Sequence, residues 1–313
     1  MSIHIHATIL TAHGVAANNR GLTEGNITTL QKLMWETGQM HTTVSAESIR
    51  FALRQRFQEA DEKILNRTYD NTEHKNQWKD SKFDNWKEYL DNDLLGFMSV
   101  AMESENQVDS DSENKDEKGS DKKGKAKKGT AVRRSPLEIT RAVSLLPWLG
   151  DATSNFASPD ATLSAQKKGT NPAPYGTEMH ATRYQYSLSL TPGRLEKPER
   201  TVTALKAICS LGTVAGNNAR FLFDFSPESI IFRVTEDPAP RILYCFDAGE
   251  DNFVHLKQLV QKVKHGDIKN EELFIGGLIL EYLEHDDIEI LGQNRNAGVI
   301  SACENALKKA KLI

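Results

Sequence analysis

Two strand-like alternations, helical stretches following each, and a long polar interruption between them predict a mixed α+β fold of the ferredoxin-like kind. The first alternation is IHIHATILT (residues 3–11), with Ile3, Ile5, Ala7 and Ile9 on one face; the second is HATRYQYSLSL (180–190). With residues 61–180 set aside, the order reads strand, helix, strand, helix, strand, strand. That order matches a ferredoxin-like sandwich carrying one large insertion.

After the first strand, a loop with His13, Gly14, Asn18, Asn19, Arg20 and Gly21 leads to a helix expected over Ile27–Thr37. Asn26 is its N-cap and Gly38 its stop. Ser45 caps a second helix, SAESIRFALRQRFQEA, with Glu47 in the positive first turn. Ile49, Ala52, Leu53 and Phe57 make its buried stripe, and Arg50 and Arg54, four apart, align at the edge.

Residues 61–102, rich in aromatics, Asn and charge, read as a small helical insertion. Residues 103–130 are Ser/Asp/Glu/Lys/Gly-rich, bury too little to order themselves, and are expected to be a disordered loop. RRSPLEITRAVSLLPW is extended, and Pro136 and Pro147 limit it to a sheet edge or a hairpin. A helix over 196–211 precedes three strand-like runs, RFLFDF, IIFRVTE and RILYCFD. Helices are expected at 251–264 and 297–311.

The chain has 313 residues, 38% hydrophobic and 26% charged, enough for a sizeable core. No apolar run approaches the roughly 18 residues of a membrane span, and the N-terminus lacks a secretory layout. Cys209, Cys245 and Cys303 form no C-x-x-C pair and suit a reducing, cytoplasmic setting. The net charge of −4 is unevenly spread. Residues 122–141 carry +7, 167–206 carry +4, and 223–289 carry −9, so one part of the chain faces a polyanion and the rest is acidic.

Neither a P-loop nor a dinucleotide fingerprint is present. His4 and His6 share a strand face but lack a third metal ligand at a sensible spacing. Glu178 and His180 have no partner completing a nucleophile–base set, and Asp151 is a lone carboxylate. The sequence therefore predicts no catalytic residues, no metal and no cofactor. What remains is a set of donors, Asn18, Asn19 and Arg20 with Ser45, Ser48, Arg50 and Arg54. Amides, helix-start N–H groups and guanidinium forks of this kind hold phosphates without reading bases.

TAHGVAANNRG and GNITTLQKL, followed by TTVSAESIRFALRQRF, resemble the N-terminal signature of the DevR/Cst-type, Cas-seven backbone subunits of type I-B-like CRISPR Cascade complexes. RRSPLEITRAVSLLPW, TEMHATRYQYSLSL and TPGRLEK continue the likeness in order. The resemblance implies an RNA-recognition-motif-like (RRM-like) palm at 1–60 and 181–313 and a helical finger at 61–102. The 103–130 loop then leads into a protruding thumb hairpin and loop at 131–180. Asn18, Asn19, Arg20, Gly21, Ser45, Ser48, Arg50 and Arg54 would then contact the guide-RNA backbone. Arg133, Arg134, Arg141, Leu145, Leu146 and Trp148 would fall on the thumb.

The partners implied are crRNA, the target DNA strand paired to it, and further copies of the chain head to tail. Other Cascade subunits are implied as well: the guide 5′-end subunit, the guide-processing subunit and the large subunit. No membrane is involved. Two rival readings make SAESIRFALRQRF the recognition helix of a DNA-binding autoregulator, or Asp151 the carboxylate of a metal-dependent RNA endonuclease.

Overall fold

The alternating apolar residues of His4–Thr11 (β1) place this strand inside an eight-stranded sheet. The computed structural model describes residues 2–17, 23–36, 38–99, 131–159, 172–214, 222–249 and 253–313. Asn18, Asn19, Arg20, Gly21 and the 103–130 loop lie outside the described residues. Among the other strands, in chain order, are β2 (Lys32–Met34), β3 (Met40–Val44), β4 (Leu137–Ile139) and β5 (Ala142–Ser144). They continue with β6 (Ala152–Ala157), β7 (Ala173–Glu178), β8 (Tyr184–Leu190), β9 (Pro227–Thr235) and β10 (Leu273–Gly277). The main sheet runs β10-β9-β1-β8-β5-β3-β2, with β4 also on β8, and its neighbours are antiparallel. The register sets Ile9 opposite both Tyr186 and Ile230.

The helices are α1 (Ala46–Asp61), α2 (Leu90–Leu95), α3 (Arg200–Cys209), α4 (Lys257–Lys264), α5 (Ile279–Tyr282), α6 (His285–Leu291) and α7 (Val299–Lys309). Ile49, Leu53 and Phe57 of α1, Leu205 and Ile208 of α3, and Ala302 and Leu307 of α7 cover Ile5, Ala7 and Ile9. Each large apolar side chain so buried contributes about 1.5–3 kcal/mol. The opposite sheet face is closed too. There Leu10 and Ile231 meet Ile242, Phe246, Leu259, Ile268 and Leu280 in a second core. All eight residues of β1 are therefore buried, and its polar side chains bond internally, apart from His6 Nδ1, which is buried without a partner. Thr8 donates to the Ile242 carbonyl, and His6 Nε2 contacts the Asp237 carbonyl at 3.3 Å.

Several expectations are corrected. Ile27–Thr37 is not a helix: Thr23–Glu24 pairs with Ile27–Thr28 across Gly25 and Asn26, and β2 pairs with β3. Gly25 at φ 62° shows the reason, because Gly-Asn is a two-residue hairpin signal that outweighs Asn26 as an N-cap. Residues 61–99 hold a hairpin, Arg67–Asp70 with Lys75–Trp78, and their α-helix is limited to the six residues of α2. Gly96, at φ 66°, ends α2 where the backbone of Arg133 and Ser135 leaves no room for a Cβ.

The segment from Leu137 to Ser144 is at an edge only in part: among the described pairings β4 meets β8 alone, whereas β5 is internal. It supplies β4 and β5, with β5 between β8 and β3. The hairpin in that part of the chain is instead β6 with β7. Ile242, Cys245 and Phe246 of RILYCFD are buried, but the run is irregular, with Arg241 and Tyr244 at positive φ, and Phe223 and Phe225 pack without strand pairing. An apolar run signals burial before it signals a strand.

Candidate nucleic-acid interface

With both sheet faces covered, a polynucleotide has only the sheet's ends, its flanking helix and the insertions to contact. The sequence after β3 makes such a feature. Ser45, in extended backbone, caps α1 by accepting from Ser48 N–H at 3.2 Å. The two hydroxyls lie 3.1 Å apart and Ser48 is only 5% exposed. This pair holds the helix start.

One turn further, Arg50 reaches the Leu137 carbonyl at 3.4 Å. Arg54 lies beside Arg67, Arg50 and Asp91. Burial, with help from the Arg67 and Arg50 charges, lowers its pKa to about 9, so it stays protonated at neutral pH. Burial likewise lowers Arg67, against the pull of Asp91. The Asp91 carboxylate accepts from the backbone N–H groups of Asn66 and Arg67 at 2.9 and 3.0 Å. Among the described residues, none of the three guanidiniums makes an ion pair, and Nε of Arg50 and of Arg54 is buried without a hydrogen bond. Three neighbouring cations around one already-satisfied carboxylate form a natural seat for an added anion. Arg67 was missed from sequence because the insertion was read as helical; the alternation RTYD before KNQW was the available signal.

The residues expected on the thumb are scattered. Arg133 is committed to structure: it pairs with Asp93, donates to the Arg194 carbonyl at 3.1 Å, and lies 4.1 Å over the Trp86 ring. Arg134 is exposed and pairs with Glu138 at 2.6 Å. Arg141 reaches Gln31 and Thr43, each at 3.2 Å. Leu145 packs on the second core and Leu146 is partly exposed. Trp148 donates to the Met179 carbonyl at 2.9 Å and lies under Lys32 at 4.0 Å, while Lys32 pairs with Glu178 at 2.7 Å. On the β6–β7 hairpin, Phe156 is 70% exposed and Tyr175 is also open to solvent.

The histidines are structural in their contacts. His180 Nδ1 meets Thr42 Oγ1 at 2.7 Å, and Thr42 meets the Tyr184 hydroxyl at 2.8 Å. Burial pushes His180 down to about 4 despite nearby Asp151. The His4 and His6 rings stack 6.0 Å apart, and His4 Nδ1 contacts Thr191 Oγ1 at 2.9 Å. Asp151 is exposed and its backbone carbonyl accepts from Met179 N–H at 3.0 Å. Among the described residues, no three His, Cys, Asp or Glu side chains are grouped to hold a metal ion. No described helix is long and apolar enough to cross a membrane.

A family model described as CRISPR-associated negative auto-regulator DevR/Csa2 matches residues 8–255. The CRISPR-associated protein Cas7/Cst2/DevR of Myxococcus xanthus (strain DK1622) is 53% identical over 320 residues, covering 100% of this chain and 99% of that protein. A chain of a CRISPR RNA-guided surveillance complex superposes with a TM-score of 0.54 at 13% identity, over 99% of this chain and 100% of the other. A chain of such a complex described as pre-nicking gives 0.52 at 12% identity, over 98% and 100%. These two likenesses are of fold. Sequence and fold agree along nearly the whole length, and the chain belongs to the DevR/Csa2 family of CRISPR-associated proteins.

Proposed function

We propose that this chain is a Cascade backbone subunit that assembles along crRNA, grips its sugar-phosphate backbone, and presents the guide for pairing with target DNA. The observation that carries the reading is the covered sheet beside an unpaired arginine cluster. Sheet-face base reading, as in many RRM-like folds, needs an open face, and here both are buried. Arg50, Arg54 and Arg67 instead offer charge, which binds any sequence and weakens with salt. Asn18, Asn19, Arg20 and Gly21 add amides and a further guanidinium, while Ser45 and Ser48 hold the helix start. Reading of sequence is delegated to guide–target pairing.

The palm is ferredoxin-like in this reading. Strands β9, β1, β8 and β5 stand in the spatial order 4-1-3-2, with α1 between the first and second and α3 between the third and fourth. The β6–β7 hairpin is the thumb, and Phe156 takes the base-displacing role in place of Leu145, Leu146 or Trp148. Copies join head to tail into a helical array whose length the RNA sets. The subunit holds and positions; it does not cut.

The autoregulator reading is weaker. α1 follows strand β3 rather than a scaffold helix, and its apolar face is spent on the sheet, so no helix-turn-helix forms there. Co-expression with the neighbouring CRISPR proteins and crRNA tests the proposal. A co-purifying RNA of uniform length in a multimer is expected; persistent monomer free of nucleic acid sinks it.

A further inference from the structure

Beside the arginine cluster, whose Arg67 lies over the Trp78 ring at 5.4 Å, the insertion and the Ala131–Arg133 strand enclose a groove of about 710 Å³. Its wall is aromatic and rigid. The Phe83 and Phe97 rings stack at 4.2 Å, Trp86 follows at 6.2 Å, and Trp78 sits edge-on to Phe83 at 5.4 Å. Phe83 holds φ 60°, a conformation bulky residues avoid unless their surroundings enforce it. Asp80 supplies that enforcement. It accepts from the Lys82 and Asn85 N–H groups at 3.1 and 2.7 Å, while Asn66 brackets its backbone at 2.7 and 2.8 Å.

The charge on the rim is one-sided. Lys82, Arg134 and Arg194 are exposed at the groove, against Asp84 alone. Arg134 is offset by Glu138, but neither Lys82 nor Arg194 is ion-paired among the described residues. Arg133 is held in place by Asp93, so its guanidinium stiffens the wall rather than searching for a ligand.

We propose that this groove is a second polynucleotide site, which takes unstacked bases of a single strand against the Trp86–Phe97 wall and their phosphates on Lys82, Arg134 and Arg194. The volume falls in the range of small-ligand pockets. Aromatic wall plus basic rim is the chemistry of sequence-tolerant single-strand binding, where base stacking and phosphate neutralisation act together. An acidic peptide would use the rim but not the wall. The proposed contacts, Lys82, Arg134 and Arg194 with the Trp86–Phe97 wall, are distinct residues from the Arg50, Arg54 and Arg67 of the adjoining guide grip, so each proposal can fail without the other.

The test uses the full chain and fluorescent dT and rU 12-mers, read by anisotropy at several salt concentrations. Lys82→Glu with Arg194→Glu should weaken both probes at least tenfold and lower the salt slope by about 1.4, the single-strand value for two phosphate contacts. The same loss should appear in an Arg50→Ala/Arg54→Ala background. Trp86→Leu, which keeps apolar bulk, should weaken binding with the slope unchanged, and thermal unfolding checks that each variant is folded. Equal loss for dT and rU assigns the groove to either kind of strand; loss confined to rU assigns it to RNA through the 2′-hydroxyl. Wild-type affinity and slope in the double charge reversal overturn the proposal, as does polyglutamate displacing the probes as well as unlabelled dT does.

Discussion

Arg200 on α3 donates to the carboxylate of Asp93 on α2 at 2.6 Å, where the Asp93 side chain is fully buried. The same carboxylate takes Arg133 and the Glu196 N–H, so one aspartate fastens the insertion, the strand after the loop, and the helix behind β8. Removing one member of a buried ion pair leaves its partners charged and unsatisfied, at a cost of about 3–5 kcal/mol. Asp93→Ala should therefore lower the urea midpoint sharply, and a midpoint within error of wild type contradicts this account.

Arg50→Ala with Arg54→Ala should weaken guide binding for every sequence and flatten its dependence on salt, because the lost contacts are to phosphates. Filter binding of two unrelated guides at several salt concentrations reads both quantities. If the slope does not change, the arginines are not at the backbone.

Acid should destabilise the fold through its buried histidines. Burial lowers His6 and His180 from 6.5 to about 4. Between those values the unfolded chain binds more protons than the folded one, so stability is complete above pH 6.5, falls as pH drops toward 4, and then levels. Each such histidine contributes up to ~1.4 kcal/mol per pH unit in that window. Denaturant titrations at pH 7, 6 and 5 should show the decline, and His180→Gln should make it shallower; a flat profile rules out this role.

Gly277 should tolerate no side chain. It sits at φ 100° at the end of β10, donates to the Ala297 carbonyl at 2.9 Å, and a Cβ there would collide with the Glu228 backbone. Gly277→Ala should cost on the order of 1–3 kcal/mol from backbone strain alone, measurable as a lower melting temperature.

The long periodic elements were legible in the sequence: β1 and β8 from alternation, α1 from its cap and stripe, α3 and α7 from helical spacing. So were Arg50 and Arg54 as one edge of a helix, since four-residue spacing fixes that without any tertiary information. Short segments were not legible. Gly25-Asn26 looks like a cap in one frame and a hairpin turn in another, and only pairing partners far along the chain choose between them.

The chain by itself determined which residues are apolar, periodic and charged, because those properties are local. Tertiary structure alone decided which charges are already neutralised. Arg133 and Arg54 are equally basic in sequence, yet one is tied to Asp93 and the other faces only cations and an occupied carboxylate. It likewise brought Cys209 and Cys303, widely separated along the chain, into one buried core cluster where α3 meets α7. Such meetings depend on how helices pack over a shared sheet, and no spacing rule within one segment encodes them.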